Sequence, residues 1–195
     1  MAMGPEVPEV PEAPGSPDMR KPRPDARSAA WSAALLIGSL LLGLLGGIIW
    51  GEIAPRVLLQ EISAGTAEVV NTESRAFFGA DVWFCVIAAV AGLLTGVLGY
   101  RFAVAPRDGY ARAAVALALI LGALGGGLVM MWLGGQFGLS GYNHDLASSP
   151  NGTQFYQSLA LGAKSALACW PLFTAIVLLV AEWGNRPGPD QPPAG

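Results

Sequence analysis

Four long apolar segments divide this sequence, and none of them contains an acidic residue. The segments are Ala29–Trp50, Val82–Tyr100, Ala111–Leu133 and Leu159–Ala181. Each has roughly the 20 apolar residues that a helix needs to cross about 30 Å of hydrocarbon. Backbone polar groups find no partners in hydrocarbon, so such segments fold as helices. The sequence therefore predicts an all-α membrane protein with a four-transmembrane-helix bundle.

Basic residues are distributed unevenly between the connecting segments, and short loops rich in Lys and Arg mark the cytoplasmic side of a membrane. The bases before the first segment, around the link between the second and third, and after the fourth are Arg20, Lys21, Arg23, Arg27, Arg101, Arg107, Arg112 and Arg186. The loop from Gly51 to Asp81 has only Arg56 and Arg75, and the Gly134–Ser158 loop has no base. We therefore expect a multi-pass protein of the bacterial cell (inner) membrane with a cytoplasmic N-terminus and a cytoplasmic C-terminus.

Both chain ends have a composition that does not favour folding. Residues 1–28 contain no apolar run, and prolines recur at every third residue from Pro5 to Pro17, which is the period of a polyproline II helix. A disordered Pro-rich cytoplasmic tail is expected here, with a docking ligand for a partner as the alternative. Residues 29–184 form the predicted transmembrane domain, and residues 185–195 form a second disordered cytoplasmic tail.

Two classes of partner follow from the charges. The bases Arg20, Lys21, Arg23 and Arg27 would attract anionic membrane lipid, each by about 1 kcal/mol near the surface. No basic face with interleaved aromatic residues is present, so no nucleic acid partner is expected.

The first loop on the outer side has the pattern of a folded element. Arg56–Ile62 and Thr66–Asn71 are rich in Val, Leu and Ile, and Ser63, Ala64 and Gly65 separate them. This pattern predicts a short β-hairpin in the first extracytoplasmic loop, with Gly65 in the turn. Glu73–Ala80 is expected to form an interfacial helical turn. The second outer loop, with its Ser148–Gly152 stretch, is expected to contain turns only.

Glycines four residues apart are the main packing signal within the apolar segments. Small residues at this spacing allow two helix backbones to approach closely. The preferred interpretation is packing of the four helices against one another, and a homo-oligomer interface is the alternative. The residues are Gly43, Gly47, Gly92, Gly96, Gly122 and Gly126, with Gly162 and Ala166 as a similar pair in the fourth segment. Pro171 is expected to kink that segment in its middle.

Lys164 is an ionisable residue placed within an apolar segment, six residues after Ser158. A charge within a membrane is a candidate functional residue, and it needs a partner. We expect a candidate intramembrane ion pair between Lys164 and Asp81, with Glu52 as a second partner of the right charge. The preferred interpretation is a structural salt bridge, or a lysine that reaches the interface. A proton or ion pathway that uses the pair is the alternative.

Other chemistry is not indicated by the sequence. Cys85 and Cys169 both lie in apolar segments, where buried structural thiols are expected. His144 has Asp145 beside it but no second ligand at a metal-binding spacing. We therefore expect no catalytic residue, no metal site and no cofactor.

Three short motifs carry a resemblance to a known family. They are Trp50 with Ala54-Pro55-Arg56, Phe78-Gly79-Ala80-Asp81 with Phe84, and Trp170-Pro171-Leu172. In their order and spacing the chain resembles a family of uncharacterised actinobacterial four-helix integral membrane proteins, defined only as a domain of unknown function. The resemblance implies a topology and a bacterial lineage, and it implies no activity.

Two functions are compatible with these observations. The first is a non-enzymatic accessory or scaffold subunit of a cell-envelope complex, because contact surfaces are indicated and chemistry is not. The alternative is a small transporter or channel that uses Lys164 and Asp81.

Overall fold

The computed structural model describes residues 26–63, 66–70, 75–104, 107 and 109–185. The basic cluster from Arg20 to Arg23, the turn residue Gly65 and the C-terminal Arg186 lie outside the described residues. The elements are α1 (Ala26–Ile53), β1 (Leu58–Ser63), β2 (Thr66–Val69), α2 (Ala76–Gly99), a π-helix (Tyr100–Val104), α3 (Gly109–Gln136), α4 (Leu139–Ser148), β3 (Gln154–Tyr156), a 3₁₀-helix (Lys164–Ala168) and α5 (Cys169–Gly184).

Four helical stretches in the described part of the chain are long and apolar enough to cross a membrane. They are Ala30–Ile53, Phe78–Val104, Ala111–Ser148 and Lys164–Gly184. Their mean hydropathy runs from 1.8 to 2.3, because almost every position carries an aliphatic, aromatic or small side chain. These stretches correspond to the four segments expected from the sequence, so the chain has the pattern of a multi-pass membrane protein.

The spaced glycines lie where helix backbones meet. A Cβ atom on Gly43 of α1 would overlap the carbonyl oxygen of Gly126 on α3. On the other side of the bundle, a Cβ on Gly92 of α2 would lie 2.6 Å from the carbonyl oxygen of Trp170, and one on Gly96 would lie 2.7 Å from Cβ of Val177. Gly47 and Gly122 lie at the same α1–α3 contact as Gly43. The helices therefore form two close pairs, α1 with α3 and α2 with α5, joined through a shared core.

Large aromatic side chains fill the space between the two pairs. Trp50, Phe84 and Trp170 are fully buried, together with Met130 from α3. The rings of Trp50 and Phe84 meet edge to face with centroids 5.2 Å apart. The indole Nε1 of Trp50 donates a hydrogen bond of 2.8 Å to the carbonyl oxygen of Ala80, so the end of α1 is fixed to the start of α2.

The outer surface of the bundle is apolar along its length. Aliphatic side chains on all four long helices point outward, such as Leu41 on α1 and Leu179 on α5. Exposed tryptophans lie near both ends: Trp83 and Trp132 at one, and Trp31 and Trp183 at the other. Tryptophan at two levels with aliphatic residues between them is typical of a surface that spans a bilayer.

A small folded cap covers one end of the bundle. We define the cap as β1, β2, α4 and β3, and call this the cap end; the opposite end is the tail end. The three strands form an antiparallel sheet in the order β2-β1-β3. The expected hairpin of β1 and β2 is present, with Leu59 opposite Val69. Leu59 also lies opposite Phe155 of β3, and both of these side chains are buried.

The second outer loop differs from the expectation of turns alone. It forms α4 and β3, and turns lie between α3 and α4, at Phe137 and Gly138, and around Pro150 to Thr153. The expectation was wrong because β3 is three residues long and acquires its conformation from β1, which is about 95 positions away in the chain. The ring of Tyr142 on α4 lies 6.0 Å from the ring of Phe155, so α4 packs against the sheet.

The fourth apolar segment is also shorter as a helix than expected. Residues 159–163 are not helical, a 3₁₀-helix begins at Lys164, and α5 begins at Cys169. Pro171 therefore lies in the first turn of α5 and not in the middle of a helix, so the expected kink there is wrong. Proline has no N–H for the carbonyl of residue 167, and the preceding residues adopt the 3₁₀ form instead.

Polar side chains hold the helix termini together at the tail end. Arg112 on α3 forms an ion pair of 2.9 Å with Glu182 on α5. The hydroxyl of Tyr100 donates to the carbonyl oxygen of Ala181 at 3.3 Å, and the guanidinium of Arg107 lies 6.0 Å from the centre of the Trp31 ring. These contacts connect α1, α2, α3 and α5 at this end.

Gly43→Ala tests the close contact between α1 and α3. The new methyl group meets backbone atoms of α3, which cannot rotate away, so we expect a loss of about 1–3 kcal/mol in the free energy of unfolding. Gly38→Ala is the matched control, because nothing lies within 4 Å of a Cβ at that position of the same helix. Thermal unfolding in detergent measures both variants. Equal melting temperatures for the two variants would contradict the close contact.

Candidate functional site at the junction of cap and helices

Asp81 is half-buried near the start of α2, and its carboxylate binds the chain segment that precedes α5. The backbone N–H of Gly162 donates to Oδ1 at 2.9 Å, and the N–H of Ala163 donates to Oδ2 at 2.9 Å. Hydrogen bonds to a charged acceptor are the stronger kind in proteins. Asp81 therefore fixes a non-helical segment of the chain to α2.

Lys164 follows this segment directly and is the first residue of the 3₁₀-helix, at the cap end of the bundle. Its side chain is exposed, so it does not lie in the apolar interior that a helix from Leu159 would have given it. Asp81 binds the two residues that precede Lys164, and among the described residues no ion pair within 4.0 Å joins Lys164 to Asp81. The ion pair stays a prediction.

A cavity of about 180 Å³ lies beside Asp81, between the start of β1, the start of α2 and residues 157–162. Its walls are mostly apolar and include Pro55, Ala80 and Leu159, while Arg56, Gln157 and Ser158 supply polar groups. The guanidinium of Arg56 donates to the carbonyl oxygen of Gly51 at 3.2 Å. The lining therefore offers few groups for a polar ligand, and its arginine is engaged with the end of α1.

Gly138 leaves the space that the side chain of Arg56 occupies. It begins α4 with a φ of 79°, a left-handed conformation that favours glycine. A Cβ atom there would lie 2.8 Å from Nη1 of Arg56. Arg56 thus occupies the space beside the α3–α4 turn and connects it to the end of α1.

One face of α2 lies along the chain from residue 162 to residue 177, and we call this contact the α2 seam. From the cap end, its α2 residues are Asp81, Cys85, Gly92 and Gly96, at spacings of four, seven and four residues. Such spacings keep residues on one helix face. In the α2 seam the Sγ atoms of Cys85 and Cys169 lie 3.2 Å apart. The spacing of the four α2 residues was visible in the sequence. The contact of Cys85 with Cys169 was not, because the two cysteines are 84 residues apart in the chain.

Polar side chains deeper in the bundle bind backbone and aromatic groups. The hydroxyl of Thr174 is buried and shares its hydrogen between the carbonyl oxygens of Trp170 at 3.1 Å and Gly92 at 3.2 Å. The hydroxyl of Thr95 donates to the carbonyl oxygen of Ala91 at 2.7 Å and accepts from the indole of Trp170 at 3.3 Å. These groups fix α5 to α2 and do not form a continuous polar path below Asp81.

Metal-binding chemistry receives no support from the described part of the chain. No group of three or more His, Cys, Asp or Glu side chains is placed there to hold an ion. His144 lies on the exposed side of α4.

Comparison with protein-family models, with curated proteins and with solved structures finds no match to this chain.

Asp81→Ala tests the role of the carboxylate. Removal leaves the Gly162 and Ala163 amides without their acceptor, so we expect a loss of at least about 1 kcal/mol in the free energy of unfolding. Glu52→Ala is the control, because it removes an exposed acid from the same end of the bundle. Melting temperatures in detergent measure both.

Lys164→Met, alone and with Asp81→Ala, separates the two roles of Asp81. If the carboxylate acts through the amides, the two changes are additive to within about 0.5 kcal/mol. A coupling well above that value would show that Asp81 also interacts with the Lys164 charge, and it would support the ion pair.

Proposed function

We propose that this chain is a multi-pass protein of the bacterial inner membrane and acts there as a non-enzymatic accessory or scaffold subunit of a cell-envelope complex. Partners bind the cap. The observation that carries this proposal is the composition of the cap end: its sheet has β2 as an open edge among the described strands, and several apolar side chains of the cap end are exposed.

The outward apolar groups of the cap end are large. Tyr156 on β3 is 63% exposed. Ile62 and Val70, at the ends of the hairpin strands, are 53% and 45% exposed. A strand edge with apolar neighbours is the surface to which another protein chain binds through backbone hydrogen bonds and side-chain contacts. Large exposed apolar side chains beside a strand edge are more typical of a protein-binding surface than of a loop that contacts only water.

Orientation follows from the bases. We propose that the tail end is cytoplasmic, because Arg101, Arg107 and Arg112 are there and the cap has few bases. The cap is then outside the cytoplasm, where it meets partner proteins of the envelope. Anionic lipid would bind next to Arg20, Lys21, Arg23 and Arg27.

The alternative function is a small transporter or channel using Lys164 and Asp81. Transport of an ion needs polar groups that continue through the bundle. In the described part of the chain Asp81 binds two amides, and Thr174, which lies deeper in the bundle, binds the backbone carbonyls of Trp170 and Gly92. No specific observation favours transport over the scaffold role.

Photo-crosslinking tests the scaffold proposal in living cells. A photoreactive amino acid replaces Val70 in the cap or, as the matched control, Val90 on the outer face of α2; these valines are 45% and 53% exposed. After crosslinking, the chain is purified in mild detergent and its adducts are identified by mass spectrometry. We expect one protein adduct from position 70 that is absent from position 90.

The same purification decides against the proposal in two cases. One is recovery of the chain without a protein adduct from position 70 at several expression levels. The other is the same set of adducts from both positions, because that result indicates random encounters in the membrane. Ile62→Glu adds a further check: a charge next to the binding edge is expected to reduce the adduct from position 70 while the melting temperature is unchanged, since Ile62 is exposed.

A further inference from the structure

Two thiols that lie far apart in the sequence meet in the α2 seam. Cys85 is on α2 and Cys169 is the first residue of α5, and their Sγ atoms are 3.2 Å apart. Both are free cysteines and both are half-buried. The distance is shorter than ordinary contact between two sulfur atoms, so the side chains point directly at each other.

The backbone on both sides of the thiols is held in place. One helical turn towards the cap, Asp81 binds the amides of Gly162 and Ala163. Towards the tail end, Gly92 is in close contact with the carbonyl oxygen of Trp170, the residue after Cys169. The α2 seam is therefore in close contact on both sides of the thiols. A covalent bond between the two sulfur atoms requires only a small movement of side chains. A disulfide needs this kind of prior approach of the backbones.

The thiols lie next to the apolar outer surface of the helices. Val82 and Val86 on α2 flank Cys85, and Leu172 lies one turn after Cys169; all three are exposed. At 1.5 Å per residue, Cys85 is about 13 Å along α2 from its start at Ala76. An oxidant that dissolves in lipid reaches this level, whereas a charged, water-soluble disulfide does not.

We propose that Cys85 and Cys169 form a redox-active pair that is oxidised to an intramolecular disulfide by a lipid-soluble quinone. The two S–H bonds break and one S–S bond forms. The pair gives up two electrons and two protons, and the quinone takes up both to become the hydroquinone. Oxidation thereby connects α5 covalently to α2 below the cap, and reduction by a dithiol restores the free thiols.

The experiment uses the full chain in lipid nanodiscs with a decyl-substituted benzoquinone added to the lipid. After incubation, the protein is denatured in detergent, its thiols are alkylated with a maleimide, and its intact mass is measured. We expect the quinone to remove two hydrogen atoms per molecule and to abolish both alkylation sites, and we expect dithiothreitol to restore them. Untreated protein is expected to carry two alkyl groups.

Cys85→Ser and Cys169→Ser are the matched controls. Each variant is expected to keep one alkylatable thiol after quinone treatment and to remain a single chain on a non-reducing gel. The proposal is overturned if both thiols of the natural sequence stay alkylatable after quinone treatment. It is equally overturned if the product is a covalent quinone adduct on sulfur or a disulfide between two copies of the chain. Diamide, a general thiol oxidant, is used in a parallel sample. If diamide forms the intramolecular disulfide and the quinone does not, the proposed role of the quinone is overturned.

Discussion

Close approach of helix backbones is the constraint on which the rest of this structure depends. In an apolar surrounding the hydrophobic effect does not drive helices together, so contact between close surfaces must replace it. Gly43 against Gly126 and Gly92 against Trp170 provide that contact. These two contacts determine which helices are neighbours. The buried rings of Trp50 and Phe84 then fill the space that remains between the two helix pairs.

The cap end shows how a few polar contacts position a small folded cap on an apolar bundle. The indole of Trp50 is bonded to the Ala80 carbonyl, and Asp81, the next residue, is bonded to two amides of the segment before α5. Arg56 is bonded to the end of α1. Both outer loops are therefore attached to the same helix termini, and a single sheet formed from the two loops is the result.

Most of the helical architecture was predictable, because the length and apolarity of a segment are local properties of the sequence. The β1–β2 hairpin was predictable for a similar reason, since its strands are separated by two residues in the chain. The strand β3 was not predictable, because its three residues acquire their conformation from β1 in another loop. The late start of the fourth helix was missed because residues 159–163 contain the apolar side chains Leu159 and Leu161, which pack into the buried core. Hydropathy does not distinguish an apolar non-helical segment from an apolar helix.

The candidate site was predictable only in part. Asp81 and Lys164 were recognised as unusual from their positions, and the structure bonds Asp81 to the two residues that precede Lys164. Backbone amides as the partners of Asp81 leave no trace in a sequence, because every residue except proline carries one. The contact between Cys85 and Cys169 depends on the register of α2 against α5, which the close approach at Gly92 fixes and which residue types alone do not specify.

The central claim is that four helices cross a membrane and separate the cap from the tail end. It is tested most directly by labelling single cysteines in intact cells with a membrane-impermeant maleimide, after Cys85 and Cys169 are replaced by serine. Ser148→Cys in the cap and Asn185→Cys after α5 are both exposed positions, and Val90→Cys on the outer face of α2 is the control. The account predicts labelling of position 148 in intact cells, of position 185 only after permeabilisation, and of position 90 in neither case. Labelling of positions 148 and 185 from the same side would contradict it.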